Sequence, residues 1–476
     1  MSIAWKDHPL RELLRLAWPI TISTVSYSVM TLVDTILVGH LGRSELAGVG
    51  LGGVMAFCLL CFSIGLLRGA NTLVAQAVGA GRPAEARGYQ AAAAATALAL
   101  GVVTAALGQP IAGLLRHLAA SAAAGDAVHT YLRIRILGAP LALLFVALRE
   151  IRYGQGDSRG PMRATVLANL ANIGLAYVFV FVWRLGVAGA AYATLIAHAI
   201  EAGVLGVPEL WRGLAAARAS RAGGGSSAAA LRGPSAGSMS GGQLRALWRL
   251  GVPLGIQFML EVGSFGLLSL LISAMADVQM AAHQIALQVI HFSFLPAFAV
   301  AEAAAVLVGQ AVGARRLELV PRLARLALVV TGSYALTWTI VLLLGARLIV
   351  SGFTADAAVV SVAVTLLRVA TIFQIFDAAN VVGRAALRGA GDVRFSAVVG
   401  VTTSWLCTPP LAWLLGFRLR LGAVGGWLGL CLEIVVGAGL LWWRIARGTW
   451  RQAAMAAQAR LQADHSQEEA ISTAVA

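Results

Sequence analysis

A series of long apolar segments constrains what this chain can fold into more than any other feature of its sequence. A transmembrane helix needs roughly 20 consecutive apolar residues, and each segment reaches about that length. Only 12% of the 476 residues are charged, against roughly 25% in soluble domains. The sequence predicts twelve transmembrane spans with the bounds 16–40, 46–70, 89–115, 127–149, 164–184, 187–210, 249–275, 279–307, 326–348, 360–386, 395–417 and 421–443.

Basic residues are distributed unevenly around these segments. If the N-terminus is placed in the cytoplasm, 26 of the 36 Lys and Arg residues fall on the cytoplasmic side and eight on the outer side, while Arg68 and Arg368 lie within spans. Cytoplasmic loops of membrane proteins carry such an excess, so the net charge of +15 needs no nucleic-acid partner. We predict a multi-pass protein of the cell (inner or plasma) membrane with both termini in the cytoplasm.

The two halves of the chain resemble each other at a nearly constant offset. Segments 76–79 and 310–313 both read QAVG, and segments 154–157 and 389–392 both follow the pattern Gly-x-Gly-Asp. Each half would contain six spans, an even number, so the two repeats enter the membrane from the same side and are parallel. Transporters built from parallel repeats work by movement of the halves about a central binding site.

The repeat and the composition divide the chain into four parts. We expect an N-terminal six-helix bundle over 1–213, a flexible cytoplasmic linker over 214–242, a C-terminal six-helix bundle over 243–446 and a cytoplasmic tail over 447–476. The linker is rich in Gly and Ser without apolar periodicity, as flexible connectors are. The tail is rich in Ala, Gln and Glu, and we expect it to be frayed or disordered.

Residues that common energy-transducing and hydrolytic sites require are missing from the sequence. The one lysine is Lys6, whereas a Walker A loop needs a lysine on the nucleotide phosphates. The eight histidines include no HExxH zinc pair. We therefore expect a secondary transporter and not an enzyme, with no cofactor and with Na⁺ or H⁺ as the coupling ion.

Carboxylates inside the predicted spans are the candidate coupling groups, because an ionisable residue in a membrane costs free energy and is usually functional. None of Asp34, Glu261 and Asp377 has an acidic counterpart at the repeat offset, so the repeated scaffold does not require them. We predict that these three bind the coupling ion or proton, and that Glu261 and Asp377 would be the site of a bound Na⁺. The alternative is a buried carboxylate satisfied by neighbouring hydroxyls or amides. The weaker acidic candidates are Glu201 and Glu433.

One charged pair follows from the repeat itself. Arg68 and Glu302 are 234 residues apart, have opposite charge and lie near the predicted cytoplasmic ends of spans two and eight. We predict that they form a cytoplasmic gate between the halves. The alternative is that each pairs locally or extends to the lipid headgroups.

Three motifs are more specific than composition. LVDT occupies 32–35, AAHQIAL at 281–287 is followed by VGQ at 308–310, and LRGAGD occupies 387–392. This combination resembles the multidrug and toxic compound extrusion (MATE) family, in particular its NorM-like branch, over residues 10–445. The resemblance implies an all-α integral membrane protein, a V-shaped antiporter of twelve transmembrane helices in two parallel six-helix repeats.

The resemblance also implies a function and a site. Members exchange Na⁺ or H⁺ for organic cations and other xenobiotics, and Asp34, Glu261 and Asp377 match their acidic positions. We expect a monomer in the lipid bilayer whose partners are cationic or amphipathic small molecules. Aromatic faces attract cations, and the aromatic and amide side chains that we assign to the substrate cavity are Tyr27, Asn172, Phe258, Phe265, Gln284 and Gln288.

Two other functions remain as alternatives. A flippase for lipids or lipid-linked precursors, from the same broader superfamily, often has extra spans or a strongly cationic cavity. Few arginines fall at the predicted mid-membrane depth here, which favours cationic cargo. A channel would need a continuous polar pore or a ring of repeated charges, and the unmatched acids argue against that.

Overall fold

The computed structural model describes residues 5–118, 121–222 and 240–462. Over these residues the regular secondary structure is helical, with no strand. Two π-helical segments, Val178–Val182 and Ala412–Arg418, directly continue the α-helices that end at Tyr177 and Leu411. The α-helices are α1 (Pro9–Gly39), α2 (Arg43–Gly79), α3 (Pro83–Leu118), α4 (Ala122–Leu137), α5 (Ala139–Gly154), α6 (Arg159–Tyr177), α7 (Gly186–Ala222), α8 (Gly241–Ser273), α9 (Asp277–Gly313), α10 (Leu319–Ser351), α11 (Ala357–Gly389), α12 (Val393–Leu411) and α13 (Ala423–Arg447).

The number of membrane-crossing elements agrees with the prediction of twelve. Eleven helices in the described ranges are long and apolar enough to span a membrane, and α4 with α5 forms a twelfth that is bent by 50°. Pro140 lies at the start of α5, just after Gly138, where its missing N–H leaves no helical hydrogen bond unmade. The predicted span 127–149 runs across this break.

Large apolar side chains cover the outside of the protein. Leu344 and Leu348 on α10 are 85% and 80% exposed. A water-soluble protein rarely exposes continuous apolar surface of this kind, whereas a lipid-facing helix requires it. The exposed surface therefore supports the assignment as an integral membrane protein.

The internal repeat extends to the backbone conformation. Gly81 and Arg315 have φ angles of 71° and 61°, and Arg184 and Arg420 have φ angles of 55° and 57°. Arginine seldom adopts this left-handed conformation, yet it does so at positions that the repeat relates. The two halves are therefore similar in backbone conformation as well as in sequence.

A close helix approach near the end of α11 depends on Gly389. A Cβ built at this position would clash with the backbone oxygen of Ala305 on α9. Small residues at such crossings allow helices in membranes to pack closely. Gly389 of the LRGAGD motif therefore has a role in helix packing.

Gly389→Ala should lower the thermal unfolding temperature of the detergent-purified protein. Forcing an extra methyl into a packed site costs about 1–3 kcal/mol. Gly332→Ala on α10 is the control, because a Cβ there meets no atom within 4 Å. Equal unfolding temperatures for the two variants would contradict this description of the α9–α11 contact.

Two compact units make up the chain. One, the N-terminal unit, comprises Ile22–Val78 and Arg82–Gly255, and the other, the C-terminal unit, comprises Met1–Thr21, Gly79–Gly81 and Ile256–Ala476. Each unit therefore includes the first turns of the first helix of the other half. The predicted linker begins within α7, which continues to Ala222, and its residues 223–239 lie outside the described part of the chain.

Inside the units, a few central helices organise the packing. In the N-terminal unit α3 packs against α4 and α5, and α7 packs against α4, α5 and α6. In the C-terminal unit α11 packs against α9, α10 and α13, and α12 packs against α13. Asp377 on α11 and Glu433 on α13 therefore belong to helices that pack against several others in this unit.

His283 of the AAHQIAL motif connects three helices of the C-terminal unit. The indole N–H of Trp427 on α13 donates to His283 Nδ1 at 3.0 Å, and Ser269 Oγ of α8 lies 3.2 Å from His283 Nε2. Because an indole can only donate, Nδ1 is the acceptor and Nε2 carries the proton of the neutral ring. His283 is fully buried, so its role here is in packing.

The tail differs from the expected disorder over part of its length. Residues 451–462 are helical, and Trp450 before them is 1% exposed. Gln458 donates to the backbone oxygen of Val312 on α9 at 2.8 Å. The expectation of a frayed tail is therefore wrong for 451–462, because apolar and amide side chains dock there; residues 463–476 lie outside the described ranges.

Candidate functional site

The acidic side chain of α8 is joined to a basic side chain of α11. Glu261 forms an ion pair with Arg384, and the side chains are 19% and 23% exposed. Gln257, one turn before Glu261, donates to the same carboxylate oxygen at 3.0 Å. Ionisable groups within a membrane are usually paired in this way, so Glu261 and Arg384 stabilise each other.

Arg384 is also held from its other side. Its Nε donates to the side-chain oxygen of Asn380 at 2.6 Å. The amide nitrogen of Asn380 in turn donates to the backbone oxygen of Ile434 on α13 at 3.2 Å. A chain of hydrogen bonds therefore runs from α8 through α11 to α13 and fixes the direction of the guanidinium.

A glycine of α12 makes room for this ion pair. A Cβ at Gly400 would clash with the Glu261 carboxylate and lie 2.7 Å from the amide nitrogen of Gln257. It would also lie 3.2 Å from Nη1 of Arg384. Gly400 therefore lines the site, and the geometry requires a residue without a side chain at this position.

Two further carboxylates lie in the same electrostatic environment. Asp377 interacts with the charge of Arg384. Glu433 is buried, accepts a hydrogen bond from the hydroxyl of Thr408, and interacts with the charges of Arg384, Glu261 and Asp377. Glu261 is thus paired with Arg384, and Asp377 and Glu433, which the sequence ranks as a weaker candidate, interact with the charge of the same guanidinium.

Arg384 was not predicted as a site residue. It and Arg388 are among the 26 basic residues that the sequence assigns to the cytoplasmic side. Both lie within α11, which continues to Gly389, and both pair with carboxylates. Counting charges near span ends ignores partners on other helices. The spacing of Asp377 and Arg384, two turns apart on one face, was the available signal.

The donors around Glu261 do not fit a Na⁺ site. Hard cations take oxygen ligands with free lone pairs, whereas Arg384 and Gln257 direct N–H groups at the carboxylate. The oxygen of Asn380 already accepts from Arg384. Within the described ranges, no three His, Cys, Asp or Glu side chains come together as metal ligands would.

The N-terminal unit has its own acid beside an arginine. Asp34 on α1 interacts with the charge of Arg135 on α4, which the sequence assigns to the outer side. The guanidinium of Arg135 lies over the ring of Tyr131, 5.8 Å from its centroid, and interacts electrostatically with Tyr27. Oδ1 of Asp34 is buried without a hydrogen-bond partner. Buried polar atoms are seldom unsatisfied, so this oxygen is a candidate for binding an ion or a proton.

Asn172, the predicted cavity amide of α6, is fully buried. Its Nδ2 lies 3.5 Å from Thr194 Oγ1 on α7, at the long limit of a hydrogen bond. Its Oδ1 is buried without a hydrogen-bond partner. Nearby on the same helix, Asn169 donates to Ser26 of α1 at 2.9 Å, so polar contacts of α6 reach both α1 and α7.

The other predicted cavity residues are more accessible. Tyr27 and Phe265 are 44% and 41% exposed, Phe258 is half-buried, and Gln284 and Gln288 are exposed. Phe258 and Phe265 lie three residues before and four residues after Glu261, and therefore on its face of α8. Substrate binding by these side chains stays a prediction.

Glu302, one half of the predicted gate, has a partner within its own unit. Nη2 of Arg388 on α11 lies 2.7 Å from Glu302 Oε2, and both side chains are less than 10% exposed. This local pair corresponds to the alternative considered for Glu302. The predicted pair of Glu302 with Arg68 stays a prediction.

Breaking the Glu302–Arg388 pair from one side should destabilise the protein more than removing both charges. Glu302→Gln or Arg388→Gln alone removes one side of a buried ion pair, at a cost of about 3–5 kcal/mol. The double variant should therefore unfold at a higher temperature than either single variant. Additive losses would show that the two charges do not depend on each other.

A second group of charges lies in the N-terminal unit. Arg149 and Glu150 on α5 are 3.0 Å apart, and Glu150 is buried. His198 and Glu201 on α7, one helical turn apart, form a second pair at 3.1 Å. Arg149 interacts with the charge of Glu201, so the two pairs form one network that sequence reasoning identified only in part.

The family model MatE matches residues 19–178 and 253–414, well over half of the sequence. The chain belongs to the MatE family. The resemblance of its three motifs is thereby confirmed. The expected twelve spans correspond to the eleven spanning helices and the bent pair of α4 and α5.

Curated relatives cover almost the whole chain. A probable multidrug resistance protein NorM of Pseudomonas syringae pv. tomato is 30% identical over 463 residues, which are 94% of this chain and 97% of the relative. A protein of the same name from Deinococcus radiodurans is 31% identical over 90% of this chain and 93% of its own length. The relatives place this MatE protein with NorM proteins.

Solved structures agree on the fold. The eukaryotic MATE transporter AtDTX14 superposes with a TM-score of 0.81 at 21% identity, over 95% of this chain and 99% of its own. A MOP superfamily transporter from Pyrococcus furiosus gives a TM-score of 0.81 at 23% identity, over 93% and 97%. At these identities the likeness concerns the MatE fold alone.

Proposed function

We propose that this protein is a secondary active multidrug efflux antiporter, which exchanges Na⁺ or H⁺ for organic cations and amphipathic xenobiotics by alternating access. The observation that carries the proposal is the presence in each unit of an acidic side chain that interacts with the charge of an arginine inside the predicted membrane spans. These are Asp34 near Arg135 in the N-terminal unit and Glu261 with Arg384 in the C-terminal unit.

Carboxylates of this kind supply what an antiporter needs. A carboxylate can bind a proton or a cation, or interact with a cationic substrate, and its preference changes with its surroundings. If ion and substrate each weaken binding of the other, their coupling is reciprocal. The NorM relatives are named as multidrug resistance proteins, which supports transport of xenobiotics out of the cell.

Location and orientation belong to the same proposal. The excess of arginines on one side supports a cell (inner or plasma) membrane protein with both termini in the cytoplasm.

Arg68 and Glu302 would then lie toward the cytoplasmic side. A gate between them predicts that reversing both charges restores transport lost in each single reversal, and absence of rescue would count against it.

Efflux of a fluorescent organic cation from proteoliposomes tests the function. A Na⁺ gradient and a proton gradient are imposed separately on wild type and on Asp34→Asn and Asp377→Asn. Gradient-driven efflux that both variants lose is the expected result. Absence of wild-type efflux under either gradient would contradict antiport and make a lipid the next substrate to assay.

A further inference from the structure

Arg384 is the one feature of the C-terminal site that cation transport does not by itself require. A site for a small inorganic cation needs acidic and neutral oxygens, and a permanent positive charge at its centre opposes that cation. Arginine stays protonated in proteins, so the charge of Arg384 is fixed. Its presence beside Glu261 therefore calls for a functional explanation.

The guanidinium lies against a carboxylate that could otherwise bind a cation. It forms the ion pair with Glu261 and interacts with the charges of Asp377 and Glu433. These three carboxylates come from α8, α11 and α13, while α12 contributes the uncharged Gly400. One fixed cation is thus paired with Glu261 and interacts at longer range with the charges of two further acids.

Nearby oxygens are already used as hydrogen-bond acceptors. Asn380 accepts from Nε of Arg384, and the backbone oxygen of Ile434 accepts from Asn380. Glu433 accepts from the hydroxyl of Thr408. Arg384 and Gln257 both donate to Oε1 of Glu261, so a Na⁺ bound to that oxygen would have to displace the guanidinium and break the contact that orients it.

We propose that Arg384 is a resident cation of the C-terminal acidic site and determines its ion selectivity by excluding Na⁺. The inference rests on the proposed antiport function and specifies it. Of the two candidate coupling ions, it leaves the proton, which needs no set of oxygen ligands. Removing the guanidinium should open the site to Na⁺.

Transport and Na⁺ binding test the inference together. Wild type, Arg384→Gln and Arg384→Met are compared in proteoliposomes under a proton gradient or a Na⁺ gradient. Their unfolding temperatures are also measured in NaCl and in choline chloride at equal ionic strength. Arg384→Lys keeps the charge at the site, and Arg347→Gln removes a charge from an exposed position of α10.

Wild type and Arg347→Gln should show proton-driven efflux, and neither these proteins nor Arg384→Lys, which keeps the positive charge, should show stabilisation specific to Na⁺. At least one uncharged variant at 384 should be stabilised by NaCl over choline chloride, or gain efflux driven by Na⁺. Efflux driven by Na⁺ in wild type would overturn the inference and leave antiport intact, as would uncharged variants that show no response to Na⁺. No wild-type efflux under either gradient would overturn the antiport function and this inference with it.

Discussion

Glu261→Gln should lose gradient-driven efflux while the protein still inserts and folds. Gln keeps the size and the hydrogen-bonding capacity of the side chain but removes the charge that pairs with Arg384. Free energies that couple two ligands are typically 1–3 kcal/mol, so we expect the driven rate to fall about 5- to 150-fold. Efflux of an organic cation from proteoliposomes at equal protein content measures it.

Glu318→Gln is the matched control for this substitution. Glu318 is exposed and pairs with Arg316 at 3.5 Å on the surface, where an ion pair contributes about 0–1 kcal/mol. Its efflux should equal that of wild type. A Glu261→Gln protein that transports at the wild-type rate with the same dependence on the gradient would remove Glu261 from the coupling mechanism.

Gly400→Val should have a comparable effect without changing any charge. Even the first carbon of a side chain at Gly400 would clash with the Glu261 carboxylate and crowd Gln257. Overpacking costs about 1–3 kcal/mol, and relief requires Glu261 and Arg384 to move apart. We expect efflux to fall about tenfold, together with a lower unfolding temperature.

Gly439→Val on α13 serves as the comparison, because a Cβ at that position meets no atom within 4 Å. It introduces the same side chain into a span and should leave efflux and unfolding temperature unchanged. If Gly400→Val transports like Gly439→Val, the ion pair has more space than the structure gives it, and its geometry does not determine transport.

Much of the fold could be predicted from sequence because a membrane simplifies the problem. Each span must satisfy its backbone hydrogen bonds internally and expose apolar side chains to lipid, so apolar length and arginine placement report directly on topology. The bend between α4 and α5 and the docked helix at 451–462 depend on local proline geometry and on contacts with distant residues. Neither leaves a signal in hydropathy.

The acids of the candidate site are conspicuous in the sequence, and its arginines are not. Asp34, Glu261 and Asp377 stand out because an isolated carboxylate in an apolar segment is unusual. Arg135 and Arg384 lie near span ends, where arginine is common, and only the structure shows the carboxylates that they face. Pairing between helices is not local in sequence, so a pattern along the chain does not reveal it.

The most direct test of the account records ion movement during substrate transport. Proteoliposomes that contain dyes for interior pH and interior Na⁺ are given an organic cation with no gradient imposed. The account predicts that substrate uptake drives an ion in the opposite direction in wild type, with no such movement in Asp377→Asn or in empty liposomes. Substrate uptake without ion movement, or with an ion moving in the same direction, would contradict it.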